Sequence, residues 1–394
     1  MENRASSRHY GMDWLRIGAF ILLIGYHVGL VFSPWGYELK SDKTADWVAM
    51  PLLASNAWRL ALLFAISGYA SAALFAKLER QPGRFLRERA ARLGVPLLAG
   101  MLLFVTPQPW VALVTQHGYE HGYWYFMTHD YFTFRETAGI ITPTWMHLWF
   151  VAYLLVYTTA IGLLLMAVPQ AARTAMGRAV DRLLGGWLLL PLPIAFFYLA
   201  RLLPNGWNDT HALVDDPAAH LVYFTCVLFG WHLRRSEALR QAIARQWPLA
   251  VAVGGLGMAG VLFTEYSFPG DTPLPDQYRT PFLIARACQM WGTIIALFGI
   301  ADRFWNRDHP WRATLAEGVF PFYIAHQTVI LLAGLVMLQF DWPMWVQWLW
   351  LVATTAVGCW LFYAIGRRIG WLRPLIGLKR TPAPPRSPLN AATP

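Results

Sequence analysis

An arginine and a histidine, Arg16 and His27, stand eleven residues apart in the apolar run Asp13-Trp14-Leu15-Arg16-Ile17-Gly18-Ala19-Phe20-Ile21-Leu22-Leu23-Ile24-Gly25-Tyr26-His27. At about 100° per helical residue this spacing is three turns plus about 20°, so both side chains share one face, about 16 Å apart along the axis. Asp13 joins that face one turn below Arg16. An imidazole titrates near neutral pH and suits general-base work; a guanidinium grips phosphate. If the helix crosses a bilayer, the guanidinium sits near one surface and the imidazole sits deep. Ionisable groups at such depth are costly and serve a pathway, a site or a buried ion pair. A plainer reading is equally open: Asp13 and Arg16 anchor the helix end while His27 hydrogen-bonds a neighbouring backbone.

Other polar groups fall at comparable places. Arg89 and Arg92 lie one turn apart in Phe85-Leu86-Arg87-Glu88-Arg89-Ala90-Ala91-Arg92-Leu93-Gly94-Val95-Pro96. Two guanidiniums at a helix start can hold a phosphate or diphosphate, or simply anchor the helix. In Glu317-Gly318-Val319-Phe320-Pro321-Phe322-Tyr323-Ile324-Ala325-His326-Gln327 the helix rise puts His326 about 20 Å above Arg312, a depth like that of His27. Pro321 should loosen the helix below it. Glu317, nearer the start, is placed to orient a histidine or to pair with Arg16. Toward the other ends of the apolar runs stand Asn56, Arg59, His147, Arg201, His220 and Arg286. Arg59 and Arg286 are set further in than the rest and suit a polar cavity that binds a carboxylate or a glycan.

The chain that must position these groups has 394 residues, 56% of them hydrophobic and 14% charged, with a mean hydropathy of +0.37. That excludes an ordinary soluble domain and predicts an all-α, polytopic membrane protein. Apolar runs long enough to span number about ten: near 13–34, 50–76, 93–114, 145–168, 187–203, 217–233, 247–264, 280–301, 313–338 and 343–366. Alternate loops are basic, from Arg4 and Arg8 through Arg84, Arg178, Arg240 and Arg307 to Arg368 and Lys379. The loops between carry Glu38, Asp42, Asp46, Asp130, Asp209, Asp271 and Asp341. Basic loops mark the cytoplasmic side, so both termini are expected in the cytoplasm, and the +10 net charge reads as a topology signal with no nucleic-acid partner. Residues 1–378 form one expected transmembrane domain and 379–394 a disordered Pro-rich tail. The first apolar run is expected to stay as a span, not to be cleaved as a signal peptide. Cys226, Cys288 and Cys359 lie inside apolar runs as packing residues, and no metal-ligand spacing occurs. The loop near 107–143 is rich in Trp, Tyr, Phe and His, suited to a membrane interface or to stacking on sugars.

Five motifs occur in a fixed order over nearly the whole chain: Arg16-x10-His27, Leu63-Phe64-Ala65-Ile66-Ser67-Gly68, Arg89-x-x-Arg92, His147-Leu148-Trp149-Phe150 and Tyr323-Ile324-Ala325-His326. This set resembles acyltransferase family 3 of bacterial integral-membrane O-acyltransferases. Tyr10-Gly11-Met12-Asp13-Trp14-Leu15-Arg16 and Pro321-Phe322-Tyr323-Ile324-Ala325-His326-Gln327-Thr328 look most like the branch associated with succinylating osmoregulated periplasmic glucans. The resemblance implies a multi-pass protein of the bacterial inner membrane, without the appended extracytoplasmic domain of some members. It implies cytosolic acyl-CoA, succinyl-CoA or acetyl-CoA, as co-substrate, with no tightly bound cofactor and no metal. The CoA phosphates would lie on Arg16, Arg89 and Arg92. His27 would be the general base, and His326, Tyr323 or Ser67 would donate to the oxyanion, with Glu317 beside a histidine. By their depth and charge, and not by the resemblance, Arg59, His147 and Arg286 are expected to face the acceptor or the distal carboxylate of a succinyl group. The acceptor would be a periplasmic glucan or other glycan, in a chain that contacts membrane lipids and can self-associate through Trp342, Trp345, Trp348 and Trp350. Intramembrane His, Glu and Arg also mark proton-coupled transporters and flippases for glycans or anionic solutes. Those commonly carry repeats with paired broken helices, and no such repeat is visible in the sequence.

Overall fold

The computed structural model describes residues 9–204, 206, 209–270 and 272–380. Arg4, Arg8, Asp271 and the Pro-rich stretch from Thr381 onward lie outside the described residues. The architecture is helical apart from one antiparallel hairpin, Glu136–Thr137 with Ile140–Ile141. In order the main helices are α1 (Tyr10–Leu30), α2 (Ala49–Lys77), α3 (Pro82–Phe104), α4 (Pro107–Gln116), α5 (Trp149–Ala167) and α6 (Gln170–Leu184). They continue with α7 (Pro191–Ala200), α8 (Pro217–Leu233), α9 (Glu237–Ser267), α10 (Asp276–Phe304), α11 (Pro310–Met337) and α12 (Met344–Gly366).

Among the described residues seven helices are long and apolar enough to cross a membrane, and nine spans result if each of two bent pairs counts as one. The ten runs read from hydropathy are these nine and one more, near 217–233; three of the ten differ in form. The run near 93–114 is a bent pair: α3 starts earlier, at Pro82, and turns by 41° into α4, where Pro107 and Pro109 withhold backbone donors. The run near 187–203 is half of a second pair, in which α6 meets the segment Trp187–Ala200 at 95° across Gly185-Gly186. The run near 217–233 forms α8, whose 17 residues are at the short limit for a span. Hydropathy registers apolar length but not direction, so a bend inside an apolar stretch is invisible to it.

α2 is the centre of the bundle. It packs along α8 and touches α1 and α10, while α1 lies between α2 and α11 and α12 covers α11. The α2–α8 crossing is a backbone approach through small residues, as membrane helices favour. A Cβ at Gly230 would stand 1.8 Å from the Ala65 carbonyl oxygen, and one at Gly68 2.0 Å from that of Val227. This crossing fixes α2, and with it Arg59, against the rest. At its basic end α1 is tied to α11 by Asp13, which accepts from Arg312 at 2.7 Å; Arg312 also binds Asp308 at 2.7 Å. At its other end Lys40 donates to the carbonyls of Leu30 (2.6 Å), Ser33 and Trp35 (2.9 Å). Leu30 is the last residue of α1, so the lysine ties the helix end to the loop that follows, whose Tyr37 stacks on the His27 ring.

Candidate functional site

α1 carries a cavity at each end. The cavity at the end bearing the basic loops has a volume of about 690 Å³ and is lined by Arg16, Arg89 and Arg92 together with Arg367 and Lys379. The three arginines singled out in the sequence are therefore brought together. Arg16 donates to the Ala316 carbonyl at 3.0 Å and lies 3.8 Å from Asp13. Arg89 is 8% exposed, and its Nε is buried without a hydrogen-bond partner among the described residues. α3 has a π-helical stretch at Ala90–Gly94, directly after Arg89 and spanning Arg92. Such bulges re-aim side chains and gather at functional sites.

Glu317 lines the same cavity. It accepts from Tyr363 Oη at 2.7 Å and faces Arg373 at 3.4 Å and Arg367 at 3.7 Å. It is nine residues before His326 on one helix, about 13 Å along the axis, so it orients neither histidine directly. Its partners come from α12 and the chain just beyond, which the spacing within α11 does not reveal.

The opposite cavity is larger, about 990 Å³, and is lined by His27, Arg59, His147 and Arg286. Between the cavities lies a layer of aromatic rings. Tyr323 is 5.5 Å from Phe20 and 6.1 Å from Phe150, centroid to centroid, and Phe150 lines both cavities.

At the layer's outer edge the two deep histidines meet: His27 Nδ1 and His326 Nε2 are 3.1 Å apart. The hydrogen-bond pattern assigns their protons. His326 Nδ1 lies 2.7 Å from the Tyr323 carbonyl, which only accepts, so Nδ1 donates and neutral His326 keeps a lone pair on Nε2. His27 Nδ1 must then donate to that lone pair, which leaves His27 Nε2 unprotonated. His326 is fully buried and lines neither cavity, whereas His27 lines the outer one. The pair is thus a base with an acceptor behind it, the relation that orients a catalytic imidazole and steadies its cation.

His147 completes the arrangement from α5's start. Its Nε2 donates to the same Tyr323 carbonyl at 2.8 Å, and its Nδ1 accepts from Gln108 Nε2 at 3.2 Å. Gln108 also donates to Thr328 at 2.8 Å, and Thr328 to the Phe104 carbonyl at 2.7 Å. Tyr323 Oη donates to the His147 carbonyl. Both nitrogens of His147, both of His326 and the Tyr323 hydroxyl are therefore engaged within the protein. His147 and Tyr323 nevertheless line the outer cavity, while Ser67 lines the other one.

Arg59 is 3% exposed, donates to Ser55 Oγ at 3.1 Å and lies 3.7 Å over the Tyr26 ring. Its Nε has no hydrogen bond among the described residues. Arg286 shares the cavity wall. The third arginine there, Arg201, is neutralised by Asp209 at 2.8 Å. Burial pushes the Asp209 carboxyl up, but Arg201 and a hydrogen bond from Tyr223 outweigh it and hold it below its usual range. Three groups that sequence reasoning left among loop and helix residues also line this cavity: Tyr37, Glu38 and Gln327. The signal for Gln327 is its place beside His326 in an apolar run. Nothing in the sequence separates Glu38 from the other acidic residues of its side. Among the described residues no group of three or more His, Cys, Asp or Glu side chains converges as metal ligands.

Comparison with known proteins agrees with the ordered motifs. Residues 9–364 match the family model described as an acyltransferase domain. Curated relatives named "Glucans biosynthesis protein C" from Salmonella paratyphi B, Salmonella heidelberg and Salmonella schwarzengrund are 28% identical over 162 residues, 40% of this chain. The match spans about two-fifths of those relatives' length (39%). No solved structure matches the chain. With its family model covering all the helices from α1 to α11 and nearly all of α12, this multi-pass membrane protein belongs to the acyltransferase 3 family.

Proposed function

We propose that the protein is an inner-membrane O-acyltransferase that moves an acyl group, succinyl by preference, from cytosolic acyl-CoA to a hydroxyl of a periplasmic glucan. The observation that carries this reading is the unprotonated Nε2 of His27 on the outer cavity wall, held by His326, about 16 Å along α1 from an arginine-lined cavity. The basic loops at the arginine-lined end favour the cytoplasmic side for it. There Arg16, Arg89 and Arg92 would bind the CoA phosphates, and the extended arm would run along α1 past Phe20 to bring the thioester to His27. His27 Nε2 takes the proton of the acceptor hydroxyl as its oxygen attacks the thioester carbonyl. The C–O bond forms, the C–S bond breaks, and the proton passes from His27 to the leaving CoA sulfur. Arg59 and Arg286 would hold the distal carboxylate of a succinyl group, and the glucan assignment follows the names of the Salmonella relatives.

The test is mass spectrometry of periplasmic glycans from a deletion strain carrying the wild-type gene or His27→Ala. A succinyl mass increment that appears only with wild type is expected. Unacylated glycans in both strains overturn the acyl group and acceptor assigned here. The two bent helix pairs favour a second reading, a transporter or flippase with the aromatic layer as its gate. It predicts that glycan amounts shift across the membrane without acylation, and that CoA gives the purified protein no thermal protection.

A further inference from the structure

The outer cavity carries three polar atoms that are buried and lack a hydrogen bond among the described residues: Tyr37 Oη, Glu38 Oε2 and Gln327 Oε1. They are neighbours. Gln327 Nε2 donates to Glu38 Oε1 at 3.1 Å, and the ring of Tyr37, the preceding residue, stacks on His27 at 6.1 Å between centroids and 28° between planes. Buried polar atoms in native proteins are satisfied almost without exception, so a cluster of orphans marks a place for a ligand. The chemistry of the orphans defines it. A carboxylate oxygen and an amide oxygen only accept, and a phenol can do either, so this cluster asks for O–H or N–H donors. Arg59 and Arg286 line the same cavity and bring donors and positive charge, which ask for an anion. An anionic group is repelled by the acceptor cluster, and a neutral polyol gains little from the arginines. Trp35 and Tyr37 add ring faces beside the acceptors, the apolar surface that a pyranose ring covers.

We propose that Tyr37, Glu38 and Gln327 form the subsite for the acceptor sugar. Glu38 Oε2 and Gln327 Oε1 accept from two hydroxyls of one neutral pyranose unit, and Tyr37 holds its ring edge beside His27. The hydroxyl so presented faces His27 Nε2. Glu38 and Gln327 are positioning residues in this arrangement; the proton transfer stays with His27. The subsite's part in acylation rests on the acyltransfer reading, whereas its affinity for a sugar does not.

The full-length protein, purified in detergent, is titrated with a neutral gluco-oligosaccharide and followed by tryptophan fluorescence, since Trp35 and Trp145 line the cavity. Wild type is compared with the shape-conserving variants Glu38→Gln and Tyr37→Phe, each checked for an unfolding midpoint no lower than that of wild type. Saturable binding is expected in wild type, weakened about 10-fold or more by Glu38→Gln and about 3- to 10-fold by Tyr37→Phe, as loss of charged and neutral hydrogen bonds respectively. In turnover assays the Glu38→Gln effect should fall on the acceptor KM and leave kcat near wild type. Wild type that does not bind the sugar, or both variants binding as tightly as wild type, overturns the subsite. Glucans that are never acylated, alongside sugar binding that depends on Glu38, remove the acyltransfer reading and keep the subsite.

Discussion

The two cavities at the ends of α1 differ in what they leave unsatisfied. The basic-end cavity gathers arginines, and its most buried one, Arg89, keeps an Nε without a hydrogen bond among the described residues; in the proposed function it takes a polyanion. The outer cavity is lined by acceptors around Glu38 and by the cations Arg59 and Arg286, with His27 on the same lining. In the proposed function one cavity would recognise the acyl carrier by charge, and the other would sort two reactants by hydrogen-bond polarity and bring them to one nitrogen. The aromatic layer of Phe20, Phe150 and Tyr323 separates the two tasks.

Changes at each end should separate in the same way. The largest effect short of losing the base belongs to His326→Ala. Removing the acceptor for His27 Nδ1–H frees the imidazole to adopt the other tautomer, and kcat should fall about 10²-fold with the acceptor KM little changed. Steady-state kinetics with both substrates varied would show it; a change confined to KM would mean that His326 serves binding. Arg89→Ala with Arg92→Ala should come next, raising the acyl-CoA KM about 10-fold or more through lost charge-assisted phosphate contacts. The glucan KM should hold. An equal rise in both constants would erase the division between the cavities.

The smallest effect concerns pH. Burial pushes the Glu38 carboxyl above its ordinary value of 4.5, partly offset by hydrogen bonds from its own backbone N–H and from Gln327. A carboxyl raised in the folded state contributes stability that is fully present below the unfolded value and is lost as pH rises through the folded one. Glu38→Gln does not ionise, so its unfolding midpoint relative to wild type should climb as pH goes from 4.5 to neutrality. A pH-independent difference would show that Glu38 titrates normally and is not desolvated.

Much of this was legible in the sequence because depth in a membrane is written as distance along an apolar run. Arg16, His27 and His326 could be placed by helix rise, and Arg89 and Arg92 by their position at the start of an apolar run; an ionisable residue in such a run has few reasons to be there. The bends at Pro107 and Gly185-Gly186 were not legible, because apolar length carries no direction. The partners of Glu317 and the burial of Glu38 were hidden for another reason. Both depend on segments far away in the chain, Arg367 with Arg373 in one case and Gln327 in the other. The exact sharing of protons was hidden too: that Tyr323 supplies its carbonyl to two histidines, and so sets the tautomer of a third, emerges only once three helices are assembled.

The central claim is that His27 Nε2 is the base for transfer from acyl-CoA to a sugar hydroxyl. It is tested most directly by following release of the CoA thiol from succinyl-CoA by the purified protein, with and without a glucan acceptor, in wild type and His27→Ala. The account predicts glucan-dependent thiol release by wild type and a fall of about 10²- to 10⁴-fold in His27→Ala, with the variant's unfolding midpoint kept. Glucan-dependent release at the wild-type rate from His27→Ala would contradict it.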